Sequence, residues 1–120
     1  MTYVDGFVIP VPGGNRQAYK DMAEKAAAIW IEHGATRIVE TWNDDIKPGK
    51  VNDFRTAVIA EDGEEVVFSW VEWPSREARD IGNEKIMNDP RMKPEEGEGM
   101  PFSGARLIFG GFTTMVDRKG

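Results

Sequence analysis

Hydrophobic and polar positions along this chain switch between a period of two and a period near 3.6, and one stretch departs from both. Glu65 to Trp73 reads Glu-Val-Val-Phe-Ser-Trp-Val-Glu-Trp. Alternation along a strand sends Val66, Phe68 and Trp70 to one side and Val67, Val71 and Trp73 to the other. Only Ser69 and Glu72 interrupt, so both faces demand cover, as in a strand at the centre of a sheet. Helices can cover one face; the other needs a partner.

Taken in order, Tyr3 to Val11 is β-branched and aromatic, which predicts a strand. Pro10 lacks an N–H for the ladder, so pairing should end or loosen there. Pro12-Gly13-Gly14 marks a turn, and Asn15 is positioned to cap a helix from Arg16 to His33. In that helix Ala18, Tyr19, Met22, Ala23, Ala26, Ile29, Trp30 and His33 recur at steps of three and four. Lys20, Asp21, Glu24, Lys25 and Glu32 fill the opposite face, and Gly34 closes the helix. Thr36 to Asn43 predicts a strand and Asp44 to Asp53 a polar loop. Phe54 to Ala60 predicts a further short strand, joined to the central one by a turn around Asp62-Gly63. Ser75 caps a second helix with an apolar face of Ala78, Ile81, Gly82 and Ile86, which Pro90 ends. Residues 88–104 form a long irregular loop rich in Pro, Gly and Glu that also carries Met92, Met100 and Phe102. Ala105 to Val116 is the last predicted strand.

Strand–helix–strand therefore occurs twice. That order defines an α+β, ferredoxin-like split βαβ fold: βαββαβ with one extra short strand, an antiparallel sheet and both helices on one face. The uncovered face predicts a homodimer packed sheet to sheet, forming a dimeric α/β barrel.

Composition narrows the class of partner. The 120 residues are expected to form one domain, with 40% hydrophobic and 30% charged residues, the balance of a soluble globular chain. Formal net charge is −6. Residues 1–60 hold 7 basic and 8 acidic groups; residues 61–120 hold 8 and 13. An acidic surface repels phosphate backbones and anionic lipid, so neither nucleic acid nor membrane is the expected partner. No cysteine is present, which excludes disulfides, thiolate metal sites and cysteine nucleophiles. No basic segment leads into an apolar run at the start, and no stretch approaches a membrane span, so the expectation is a cytoplasmic protein. Phosphate-cradling loops, a Gly-x-Ser-x-Gly elbow and a second histidine for a metal or haem are all missing, so no cofactor and no metal is expected.

Several runs resemble the YbaA-like bacterial family of unknown function, within the dimeric α+β barrel superfamily. They are Tyr3-Val4-Asp5-Gly6-Phe7-Val8, Tyr19-Lys20-Asp21-Met22-Ala23-Glu24-Lys25-Ala26, Glu32-His33-Gly34-Ala35 and Val67-Phe68-Ser69-Trp70. Asp89-Pro90-Arg91-Met92, Met100-Pro101-Phe102 and Arg106-Leu107-Ile108-Phe109-Gly110-Gly111-Phe112 complete the set. The resemblance spans nearly the whole chain and implies the ferredoxin-like half-barrel and a homodimer; it implies no activity.

The residues that could carry chemistry are few. His33, at the end of the first helix's apolar face, is either an edge-of-core residue favoured by the helix dipole or a polar contact in a pocket between helix and sheet. Asp5, Glu40, Glu72 and Arg106 are charges inside predicted strands. Such groups pair across strands or, when buried, acquire shifted pKa values. Asp5 and Arg106 are the candidates for a cross-strand ion pair or for a site. Gly6 and Gly110-Gly111 bare part of the sheet to a ligand or to Trp30 above it. Two functions stay open. One is a homodimeric small-molecule binder, including a cofactor-independent monooxygenase- or isomerase-like enzyme. Its pocket would have His33, Arg106 and Asp5 as polar contacts and Trp30 and Phe112 as walls. The other is an interaction or regulatory module acting as a dimer. A co-purifying ligand separates them.

Overall fold

In the computed structural model, residues 2–93 and 99–120 are described. Four strands, β1 (Tyr3–Pro12), β2 (Arg37–Trp42), β3 (Glu64–Trp73) and β4 (Ile108–Thr113), form one antiparallel sheet in the order β2-β3-β1-β4. That order, with α1 (Arg16–Glu32) and α3 (Arg76–Met87) on one face, is the ferredoxin-like arrangement. No helix among the described residues is long and apolar enough to cross a membrane.

Register fixes which side chains share a face. Tyr3, Asp5, Phe7 and Ile9 of β1 lie opposite Trp73, Val71, Ser69 and Val67 of β3, all under the helices. Trp73 is fully buried there, and the bare backbone of Gly82 in α3 lets the indole lie against the helix. Burying each such side chain stabilises the fold by about 1.5–3 kcal/mol. Gly34 ends α1 at φ 111°, the left-handed conformation that glycine adopts without strain.

The other sheet face carries Val4, Val8, Phe68, Trp70, Ile108 and Phe112. Phe68 and Ile108 are each 45% exposed and Phe112 63%. This is the uncovered apolar face that the pattern of β3 requires.

Three local expectations change. Phe54 to Ala60 is not a strand: Phe54–Ala57 is a helical turn, α2. Asp53 accepts from the Thr56 amide while the Thr56 hydroxyl accepts from the Asp53 amide, a capping box that outweighs the β propensity of Phe54 and Val58. Its Phe54 ring meets Phe68 edge-on at 6.0 Å, shielding one end of the open face. Asn15 does not cap α1 through its side chain; a 3₁₀ turn, Gly13–Asn15, leads into the helix, and Asn15 Nδ2 donates to the Pro101 carbonyl. The last strand is shorter than Ala105 to Val116. Within the long loop, Pro90–Met92 forms a 3₁₀ turn, Met92 packs on the core, and the Ser103 amide donates to the Pro10 carbonyl. The acidic run 95–98 lies outside the described residues.

Candidate functional site

Between α1 and the helix-side face of the sheet lies a cleft of about 850 Å³. This is in the size range of small-molecule sites. Its existence follows from the small residues on the inner stripe of α1, since Ala18, Ala23, Ala26 and Ala27 hold the helix backbone over the sheet without filling the space. Aromatic walls come from three elements. Phe7 of β1 meets Trp30 of α1 edge-on at 6.4 Å and stacks on Phe109 of β4 at 6.1 Å. Phe102, from the segment leading to β4, meets Tyr19 edge-on at 5.9 Å.

Asp21, Lys25 and Lys93 border the rim of this lining, and one hydrogen-bonded polar group lies within it. The Tyr19 hydroxyl donates to Glu40 Oε2 at 2.8 Å. Glu40 sits on β2 directly opposite Ser69 of β3, whose hydroxyl is a second hydrogen-bond partner. Tyr19 and Ser69 are 4% and 2% exposed. Glu40 as a residue is exposed at the sheet edge, yet its carboxyl end is turned into the cleft, and that end decides its chemistry. Desolvation pushes the Glu40 carboxyl above its ordinary pKa, and the hydrogen bonds from Tyr19 and Ser69 pull it partway back. Burial, and then the charge of Glu40, raise the Tyr19 phenol far above its ordinary value. Within the pair the Tyr19 phenol is the hydrogen-bond donor and the Glu40 carboxyl the acceptor.

The residues singled out from sequence are dispersed. Trp30 lines the cleft. Phe112 lies on the opposite sheet face, its ring over Gly6 and Gly110. Gly111 is bare because the Tyr3 phenol and the Arg79 guanidinium occupy the space above it, so neither Trp30 nor a ligand explains that glycine. Asp5 and Arg106 do not pair. Asp5 Oδ1 lies 3.3 Å from Arg79 Nε and Asp5 Oδ2 accepts from Trp73 Nε1 at 3.0 Å, beneath α3. Burial raises the Asp5 pKa, with Arg79 opposing it. Arg106 lies before β4 begins and grips both carboxylate oxygens of Glu64, at 2.6 and 2.7 Å, while also donating to the Ile59 carbonyl. The hydrogen bond from Arg106, more than any other contact, holds Glu64 down at about 2.

His33 is outside the cleft. It caps the end of α1, and its Nε2 lies 2.9 Å from Asp89 Oδ2. These two line a shallow hollow of about 690 Å³ with the end of α3. Asp89 is held well below the usual carboxylate range by Arg91 first and His33 second. Ligand atoms of Glu32, His33 and Asp89 lie within 4.8 Å of one another, the spacing of a cation site. Arg91 already bridges Glu32 and Asp89, however, and supplies that positive charge. The cluster fastens the long loop to α1.

Sequence reasoning placed Tyr19 in the apolar stripe and Glu40 among ordinary strand charges, and it treated Ser69 as an interruption. The signal was parity: Ser69 shares a face with Val67, Val71 and Trp73, so a polar atom there faces the helices. Pairing with Glu40 and Tyr19 needed the register.

Fold and cleft together define a ferredoxin-like α+β protein with an apolar, aromatic-walled site under its first helix. Residues 2–104 match the family described as "Protein of unknown function (DUF1428)". The chain is 59% identical over 117 residues to the uncharacterised protein YbaA of Escherichia coli K12, covering 98% of this chain and 99% of that protein. The Shigella flexneri protein of the same name matches with the same figures. The chain belongs to this family. Among solved structures it is similar to Rv0793 from Mycobacterium tuberculosis, with TM-score 0.53, 11% identity and coverage of 99% of this chain and 100% of that one. The structure described as "Putative Antibiotic Biosynthesis Monooxygenase from Bacillus cereus" is similar at TM-score 0.53 and 12% identity, covering 99% and 96%. At these identities the likeness establishes the shared fold.

Proposed function

We propose that this protein is a homodimer that binds a small, mainly apolar molecule in the cleft between α1 and the sheet. The cleft itself carries the reading: about 850 Å³, aromatic on several sides, with a single oriented polar group, Tyr19–Glu40–Ser69, to fix a ligand. Dimerisation through the open sheet face would bury Phe68, Ile108 and Phe112, which otherwise stand in water. Native mass spectrometry of the purified protein tests both parts. The expected spectrum is a dimer that loses a small-molecule mass on activation, and a Trp30→Glu variant should purify without that mass. A parent protein without bound mass, and without affinity for apolar probes by calorimetry, would refute the binding reading.

A second reading is favoured by the Tyr19–Glu40 pair, which offers one proton donor and one carboxylate at the same end of an apolar cleft. A cofactor-independent monooxygenase- or isomerase-like enzyme would use such a pair, and the Bacillus cereus neighbour is described as a monooxygenase. Tyr19→Phe, which removes the proton donor and keeps the carboxylate, would then retain the ligand found by mass spectrometry but leave it unconverted. Equal conversion by parent and variant would remove this reading.

A further inference from the structure

Each buried carboxylate residue of the core is matched with an arginine. Asp5 lies 3.3 Å from Arg79, Glu64 lies 2.6 Å from Arg106, and Asp89 lies 2.6 Å from Arg91. Glu40 is exposed as a residue at the sheet edge, and its carboxyl group, which reaches the cleft, has no such arginine among the described residues. Among those residues it takes hydrogen bonds from the neutral hydroxyls of Tyr19 and Ser69 but no ion pair. A carboxylate partly withdrawn from water and held by neutral hydroxyls gains when a ligand brings the opposite charge. The walls of the cleft suit the same ligand. The rings of Phe7, Trp30 and Phe109 line the same cleft farther along the row Glu40–Ser69–Phe7–Phe109 that crosses the four strands, and they suit the apolar body of such a ligand. Asp21, Lys25 and Lys93 also border the cleft, but all three are exposed at its rim, and Asp21 accepts from Gln17.

We propose that the cleft takes a small amphipathic amine, an apolar body with a protonated amino group, and that Glu40 is the carboxylate on which the ammonium docks. This rests on the reading of the cleft as a ligand site and names the class of ligand. Tyr19 and Ser69 act as positioning residues: their hydroxyls hold the carboxylate in place, Tyr19 through Oε2. The body of the ligand lies along the apolar walls.

The test uses three probes of one shape, 2-phenylethylamine, 2-phenylethanol and phenylacetate, titrated into the full chain by calorimetry near pH 7.5. A charge-assisted hydrogen bond predicts that the amine binds the parent at least about tenfold more tightly than the alcohol, with phenylacetate weakest. Glu40→Gln should reduce the preference for amine over alcohol to under about threefold while leaving alcohol binding nearly unchanged. Tyr19→Phe keeps the carboxylate but removes a hydroxyl that positions it, so it should lower the preference partway, less than Glu40→Gln does. Should Glu40→Gln fail to fold by circular dichroism, the ranking of the three probes on the parent decides. Equal binding of amine and alcohol, tighter binding of phenylacetate, or a preference that survives Glu40→Gln would overturn the amine assignment and leave the cleft a site for neutral or acidic ligands. Binding of none of the probes would overturn the cleft reading as well.

Discussion

Replacing Gly82 with alanine isolates one contact on which the helix layer depends. In an exposed helix this change would gain about 1 kcal/mol from helix propensity. Here an added Cβ would lie 2.7 Å from the His33 carbonyl oxygen and 2.7 Å from Cη2 of Trp73, and closer still to Cζ3 of the same ring. Neither neighbour can give way cheaply. Trp73 is 0% exposed with its Nε1 tied to Asp5, and the His33 carbonyl belongs to the backbone that ends α1. Overpacking a rigid site costs about 1–3 kcal/mol, and two hard contacts put this one at the upper end. Subtracting the propensity gain leaves a net loss of about 2 kcal/mol, or roughly 8 °C in Tm for a domain of this size. Urea unfolding followed by tryptophan fluorescence measures it as a midpoint lowered by about 1 M. Gly14→Ala serves as the control, because an added Cβ there meets nothing within 4 Å, and it should stay within about 0.5 kcal/mol of the parent. A Gly82→Ala protein as stable as the parent would refute the close approach of α3 to Trp73.

The Glu64–Arg106 pair should make stability depend on acid. Because the folded pKa of Glu64 is depressed to about 2 from 4.5, its contribution is present above pH 4.5 and is lost as pH falls toward 2. Arg106→Met should flatten that part of the stability–pH profile, and an unchanged slope would count against the pair. Phe68→Asp places a charge on the open sheet face. It should yield a monomer by sedimentation with the fold retained, since burying an unpaired charge between two sheets costs several kcal/mol. A variant as dimeric as the parent would move the interface elsewhere. His33→Gln loses a contact to Asp89 and should cost about 1 kcal/mol, leaving ligand binding in the cleft unchanged. Weakened binding in that variant would restore His33 to the site.

Much of the architecture was legible because it rests on local rules. The three- and four-residue recurrence from Ala18 to Trp30 and the two-faced apolar run of β3 are set by the side-chain periods of helix and strand. Gly34 and Ser75 mark helix ends through backbone freedom and side-chain capping, each within a few residues. The same logic misjudged residues 54–60, where the apolar content of Phe54, Val58 and Ile59 was weighed and the box between Asp53 and Thr56 was not. The charged pairs were beyond reach for another reason. Asp5 meets Arg79 across 74 positions of chain only because α3 folds back over β1, whereas Arg106 is drawn to Glu64 because the segment before β4 crosses the start of β3. Tyr19, Glu40 and Ser69 come from a helix and two strands, and register alone sets Glu40 opposite Ser69. Periodicity decides which face a residue takes, since that depends on neighbours in sequence. Which residues of different elements then meet is decided by how helices and strands pack, and the cleft is made of such meetings.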